Sequence, residues 1–175
     1  MRNGRDEEFT AFMEARYRSV LRTARLLTGA GPQAEDLAQE TLMRTYRAWH
    51  RIGRTEAAEA YARTTMVRLL IKDRRRKWHA EVPAEQLPDV AHPGHEDATA
   101  TGMAVRKVLQ TLPPTQRAVL VLRYFHQLSE EEIARVLSCS RGTVKSRAAR
   151  ALAALREGGV LEAVSYDYEG VSDRD

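Results

Sequence analysis

The chain has 175 residues, 43% of them hydrophobic and 6% aromatic, with a net charge of +4 and a single cysteine. This length suits one domain or two small ones, and a lone thiol excludes an intrachain disulfide. No stretch approaches the roughly 18 apolar residues of a membrane span, and the opening MRNGRDEEFT lacks the apolar run of a secretory signal. A cytoplasmic protein is therefore expected. Ala, Leu, Arg and Glu dominate, which predicts an all-α fold. No CxxC, HExxH or His/Cys cluster offers a metal site, and neither GxxxxGK(S/T) nor GxGxxG offers a nucleotide site, so no cofactor is expected. Nothing arranges a nucleophile, a base and an orienting group, so the chain does not read as an enzyme.

Charge is unevenly distributed. Residues 1–78 carry 17 Lys and Arg against 10 Asp and Glu, and residues 79–101 carry 5 acids and no Lys or Arg. Residues 102–157 carry 10 bases against 4 acids, and residues 158–175 carry 1 base against 5 acids. Two basic blocks thus flank an acidic strip and precede an acidic tail, an arrangement suited to two contacts with a polyanion.

In chain order, a first helix is predicted from about Asp6 to Leu27. Phe9, Phe12, Met13, Val20, Ala24 and Leu27 recur at three- and four-residue steps, with longer gaps, before the breaker cluster Gly29-Ala30-Gly31-Pro32. A second helix starts at Pro32, with Glu35 and Asp36 near its positive end, and runs to about His50. Leu37, Ala38, Leu42, Tyr46 and Trp49 form its apolar side. Asp36, Gln39, Glu40, Arg44 and Arg47 form a polar face, which taken alone is what any solvated amphipathic helix presents.

A third helix is predicted from about Thr55, a candidate N-cap, to Trp78. Arg63, Arg68, Lys72, Arg74, Arg75, Arg76 and Lys77 crowd it, with Tyr61 and Trp78 near its ends. Cations for a backbone and flat faces for bases are what a nucleic-acid single strand requires. The aromatics serve equally well as core. A basic helix also suits an acidic membrane surface, but the cations spread around much of this one with no large apolar face opposing them, so no membrane partner is expected.

The acidic strip, residues 79–101, holds three prolines and no helical apolar period, and reads as a flexible linker. The second block, 102–157, is predicted to hold four helices. These run from about Thr101 to Thr111, from Pro113-Pro114 to about Phe125, from Ser129, and from near Ser140 to about Arg156. Ser129 and Glu132 form a capping box, and Gly158-Gly159 ends the last helix. The tail, 158–175, is expected to fray.

Within that block the third helix turns its Ile133, Ala134 and Leu137 to one face. The fourth repeats Val144, Ala148 and Leu152. The short loop Ser138-Cys139-Ser140 forces a sharp crossing, as in DNA-binding helix pairs. Arg141, Lys145, Arg147 and Arg150 fall mostly outside the apolar stripe, and Gly142, Thr143 and Ser146 are short enough for close approach to a duplex. Thr143 and Ser146 suit base edges or phosphates, and Arg147 or Arg150 suit guanine or phosphate. A solvated basic helix in an ordinary bundle is the alternative. Two further readings are a regulator that binds an operator unaided and a membrane-associated or scaffolding helical protein.

Taken together, DLAQETLMRTYRAW, the basic helix ending RRRKW, a linker, and LPPTQRAVLVLRYFHQLSEEEIARVLSCSRGTVKSRAARALAAL resemble the extracytoplasmic-function sigma factors of bacteria, the actinobacterial members above all, over about residues 8–157. The resemblance implies two small helical domains joined by a flexible linker: sigma region 2 over 6–78 and a region 4 helix-turn-helix over 102–157. It implies that Asp36, Gln39, Glu40, Arg44 and Arg47 dock on the β′ clamp helices of core RNA polymerase. Tyr61, Arg63, Arg68, Lys72, Arg75, Arg76 and Trp78 would engage the −10 element of promoter DNA and hold the opened strand. Arg141, Thr143, Lys145, Ser146, Arg147 and Arg150 would read the −35 element, and the helix from Pro114 to Phe125 would help place that domain on the β flap. An anti-sigma factor is a further partner that the resemblance admits.

Two positions depart from the family pattern. Many members carry Asn where this chain has Arg68, and Arg cannot copy an amide's paired donor and acceptor. Gly is usual where Ser138 sits, and a left-handed residue there costs Ser roughly 1 kcal/mol more than Gly. Cys139 is expected to be a buried structural thiol, with a redox switch as the alternative.

Overall fold

Gly29 and Gly31 adopt φ of 93° and 120°, where a Cβ is rarely tolerated, and so break the chain between its first two helices. The structure, a computed structural model, describes residues 2–52, 55–79 and 100–158, with side chains described for 4, 6–52, 55–72 and 102–158. Its elements are α1 (Arg2–Thr28), α2 (Pro32–Ile52), α3 (Thr55–His79), α4 (Ala100–Gln110), α5 (Pro114–Leu120) continued by a π-helical turn (Val121–Phe125), α6 (Glu130–Leu137) and α7 (Arg141–Glu157). Among the described residues there is no strand. The chain divides into two units, Met1–Val90 and Ala91–Asp175. The predicted linker, apart from its ends, and the tail beyond Gly158 lie outside the described residues.

In the first unit α1, α2 and α3 pack pairwise as a three-helix bundle. Pro32 opens α2, where its missing N–H leaves no bond unmade. Thr55, predicted as a cap, is instead the first residue of α3. Phe12, Val20, Ala24 and Leu27 of α1 meet Ala34, Ala38, Leu42 and Ala48 of α2, and Ala58, Ala62, Met66 and Val67 of α3; all are buried. Burying a side chain the size of Leu27 or Met66 contributes about 1.5–3 kcal/mol. On α3 the buried Ala58, Ala62, Met66 and Val67 form a narrow stripe packed in the bundle, so no large apolar face opposes its cations.

The apolar side of α2 also differs from the prediction. Tyr46 is 47% exposed, whereas Thr41 and Thr45 are fully buried. Thr45 hides its hydroxyl by donating to the Thr41 carbonyl at 2.8 Å, a bond that lets a polar residue sit in a core. Tyr46 lays its ring beside Phe9, centroids 5.0 Å apart, and its hydroxyl donates to Asp6 Oδ1 at 2.8 Å. Trp49 packs on Phe9 and Phe12 at 5.3 and 5.1 Å. This aromatic group fastens the start of α1 to the end of α2.

In the second unit Leu112, Leu120, Ala151 and Leu155 form a buried cluster with Val108, Leu109 and Leu152 packed against it. Leu152 is thus only partly buried, because Ala151 and Leu155 take the innermost positions of α7 beyond Val144 and Ala148. Pro114 starts α5 as predicted. Its continuation widens into the π-helical turn, where His126 N–H bonds to the Val121 carbonyl five residues back at 3.1 Å. Val119, Leu122, Ile133 and Val144 are fully buried. They bring the π turn, α6 and α7 to one centre.

Candidate nucleic-acid interface

The crossing of α6 and α7 is built by backbone chemistry that the sequence announces. Ser129 Oγ accepts from Glu132 N–H at 3.3 Å while Glu132 Oε2 accepts from Ser129 N–H at 2.8 Å, completing the capping box. Ser138 ends α6 in the left-handed region at φ 50°, ψ 50°, and Cys139 N–H returns to the Ala134 carbonyl at 3.0 Å. Ser140 then caps α7, accepting from Thr143 N–H at 3.1 Å. Cys139 is half-buried rather than buried, with Arg147 Nη1 3.9 Å from its sulfur.

On α7 the helical period fixes what faces outward. Val144, Ala148, Ala151 and Leu155 face the core, so Gly142, Ser146, Ala149 and Ala153 lie on the opposite side, all exposed. Arg141 and Lys145 border this row of small residues on one edge. Thr143, Arg147 and Arg150 border it on the other, with Arg147 and Thr143 half-buried and Arg150 exposed. Lys145, Ser146 and Arg150 are all exposed, but the two cations stand about 140° apart around the helix with Ser146 between them.

The sequence reading missed the acids that hold one edge. Arg141 Nη1 pairs with Glu131 Oε1 at 3.0 Å. Glu130 has Arg123 Nη1 at 3.6 Å, Arg141 Nη2 at 3.9 Å and Lys145 Nζ at 3.8 Å from its carboxylate. Glu130 is the first residue of α6, where its charge also suits the helix's positive end. The only signal was the triplet Glu130-Glu131-Glu132, of which the capping box explains one.

In the first unit, Asp36, Gln39, Arg44 and Arg47 are exposed and Glu40 half-exposed, and Glu40 and Arg44 form an ion pair at 2.6 Å. Met43, 50% exposed, sits in the middle of this polar stripe and was not singled out from the sequence. On α3 the steps of seven and four bring Tyr61, Arg68 and Lys72 to one side, with Arg68 and Lys72 exposed and Tyr61 half-buried. Arg63 lies on another side, half-buried, its Nε without a hydrogen-bond partner among the described residues. The side chains of Arg75, Arg76 and Trp78 lie outside the described residues.

The model of sigma-70 region 2 matches residues 12–80, and that of sigma-70 region 4 matches residues 102–155. The chain belongs to the sigma-70 family of RNA polymerase sigma factors. It is 41% identical to the RNA polymerase sigma-E factor of Streptomyces avermitilis over 161 residues, covering 90% of this chain and 88% of the relative. It is 32% identical to the ECF RNA polymerase sigma factor SigM of Mycobacterium tuberculosis over 151 residues, covering 84% and 74%. Its fold matches the sigma factor RpoE solved in complex with the anti-sigma factor NepR from Bartonella quintana, with a TM-score of 0.67 and 24% identity, covering 89% of this chain and 98% of that one.

This sigma factor is therefore of the extracytoplasmic-function type, a promoter-directed transcription initiation factor that works with RNA polymerase and not an enzyme. Among the described residues no helix is long and apolar enough to cross a membrane.

Proposed function

We propose that the sigma factor grips promoter DNA in two forms at once, from the cytoplasm. The second unit takes the −35 element as duplex through α7, with the row Gly142, Ser146, Ala149 and Ala153 lying toward the major groove. Arg141 and Lys145 reach one phosphate strand, and Arg147 and Arg150 reach the other strand or a guanine. The observation that carries this reading is that arrangement itself: a slender exposed ridge with cations on both borders. In the first unit, Tyr61, Arg68 and Lys72 hold the −10 strand as it unpairs, continued by Arg75, Arg76 and Trp78 on the same helix. Binding energy from stacking and phosphate contacts offsets unstacking of a few kcal/mol per base. Arg63, half-buried on another side of α3, joins them at the edge of the same strand.

In this proposal residues 6–78 act as region 2, 79–101 as linker, 102–157 as region 4 and 158–175 as an acidic tail. The stripe Asp36, Gln39, Glu40, Arg44 and Arg47 mounts the first unit on the β′ clamp helices, and the helix from Pro114 to Phe125 helps seat the second on the β flap. An anti-sigma factor is a further partner, in keeping with the fold relative solved with one.

Adding the purified chain to core polymerase and a library of genomic fragments should yield discrete run-off transcripts. Asp36→Lys should weaken core binding while leaving duplex affinity intact. No transcript from any fragment would defeat the proposal, and unchanged core affinity in D36K would defeat the docking assignment.

A further inference from the structure

We propose that Glu130 is a positioning residue that sets how well this sigma factor distinguishes its promoter duplex from other DNA; the inference rests on the reading of α7 as the duplex-binding helix. Glu130 opens α6, and its side chain is only 22% exposed. Its carboxylate lies within 4 Å of cations from two other elements: Arg123 in the π turn at 3.6 Å, and Arg141 and Lys145 on α7 at 3.9 and 3.8 Å. These distances exceed those of a direct N–H···O bond. The carboxylate therefore holds the three cations near one another by charge rather than by a direct hydrogen bond. Among the described residues Arg141 makes its closest contact with Glu131, 3.0 Å away, where both partners are more than half exposed. Such a pair is weak and exchangeable in water.

Two consequences follow from charge and geometry. Three cations, Arg123, Arg141 and Lys145, and two carboxylates, Glu130 and Glu131, leave this cluster beside α7 at +1 rather than +3. Non-specific attraction depends on the number of phosphates neutralised and falls steeply with salt, so the acids suppress attachment to arbitrary sequence. Meanwhile Glu130 restricts where Arg141 and Lys145 stand before DNA arrives. A duplex that presents phosphates and base edges at those positions finds the arms already placed, and less rotamer freedom is lost on binding. Glu130 thus lowers affinity for the wrong partner while sparing the right one, the two halves of specificity. Arg123 belongs to the same array, and its guanidinium also lies 5.8 Å from the exposed Tyr124 ring.

The test compares holoenzymes assembled from core polymerase and full-length chain, wild type, Glu130→Gln and Glu130→Asp. The probes are a duplex enriched from a random library by the wild-type holoenzyme and a random-sequence duplex of equal length. E130Q should bind the random duplex about 3–10-fold more tightly, with a salt slope steeper by about one. It should bind the enriched duplex no better than wild type, and E130D should stay near wild type on both. A purely structural role predicts weaker binding of E130Q to both duplexes in proportion. A ratio of affinities within twofold of wild type overturns the inference. If the wild-type holoenzyme enriches nothing, the reading of α7 fails and this inference falls with it.

Discussion

The guanidinium of Arg117, 4% exposed, donates through Nη2 to the carbonyl oxygen of Leu112 at 2.9 Å. It also reaches the Gln110 carbonyl at 3.3 Å and the Gln110 side-chain oxygen through Nη1. A buried cation is costly to desolvate, yet here it meets the carbonyls of Gln110, the last residue of α4, and of Leu112 just past it, where the helix dipole is negative. The bond ties α4 to α5 ahead of the α6–α7 pair.

Replacing Arg117 by Met keeps much of the volume but takes the buried donor from the Leu112 carbonyl. We expect a loss of about 2–4 kcal/mol, read by denaturant unfolding. Hydrogen exchange should place the loss in residues 102–158. An unchanged midpoint would show that the bonds contribute nothing net.

Ser138 should be improved by glycine. Its φ of 50° lies where a side chain is disfavoured, and Ser138→Gly should stabilise the turn by about 1 kcal/mol. A thermal melt of the full chain checks this, and a destabilised variant would mean that the serine contributes something the backbone angle does not reveal.

Gly142 offers the opposite contrast. A Cβ there would meet only Ser140 Oγ, at an ordinary 3.8 Å, so the fold does not require glycine. Gly142→Ala should raise stability by up to about 1 kcal/mol. If α7 sits deep in the groove, the same variant should weaken promoter duplex binding several-fold. Gains in stability with unaltered binding would move the DNA away from this ridge.

Met43 is placed to matter for docking. It lies exposed among Gln39, Glu40, Arg44 and Arg47, and an apolar centre ringed by polar groups is the usual anatomy of a binding hot spot. Met43→Asp should weaken core polymerase binding at least tenfold, about 1.4 kcal/mol, while Met43→Leu retains it. Equal affinities for the two variants in a fluorescence titration would exclude the contact.

How much of this was readable beforehand depended on how local each determinant is. Pro32, the Gly29–Gly31 break and the Ser129–Glu132 box act within a few residues, and the helices began and ended close to where those signals lie. The inward positions of α2 were harder. Thr41 and Thr45 are polar by type and buried in fact, and Tyr46 is aromatic yet sits at the rim because its hydroxyl has a partner on α1. The role of Glu130 was invisible because its three cations lie 7, 11 and 15 residues away and meet it only once α5, α6 and α7 have packed.

The widened turn at Val121–Phe125 carries a lesson about spacing. A five-residue step in place of four accommodates one additional residue without lengthening the rod. Trimming a single residue from it would restore ordinary winding and leave the flanking segments close to their present phase. Between Pro114 and Ser129 the surplus residue is thus taken up as girth, leaving reach and orientation nearly untouched.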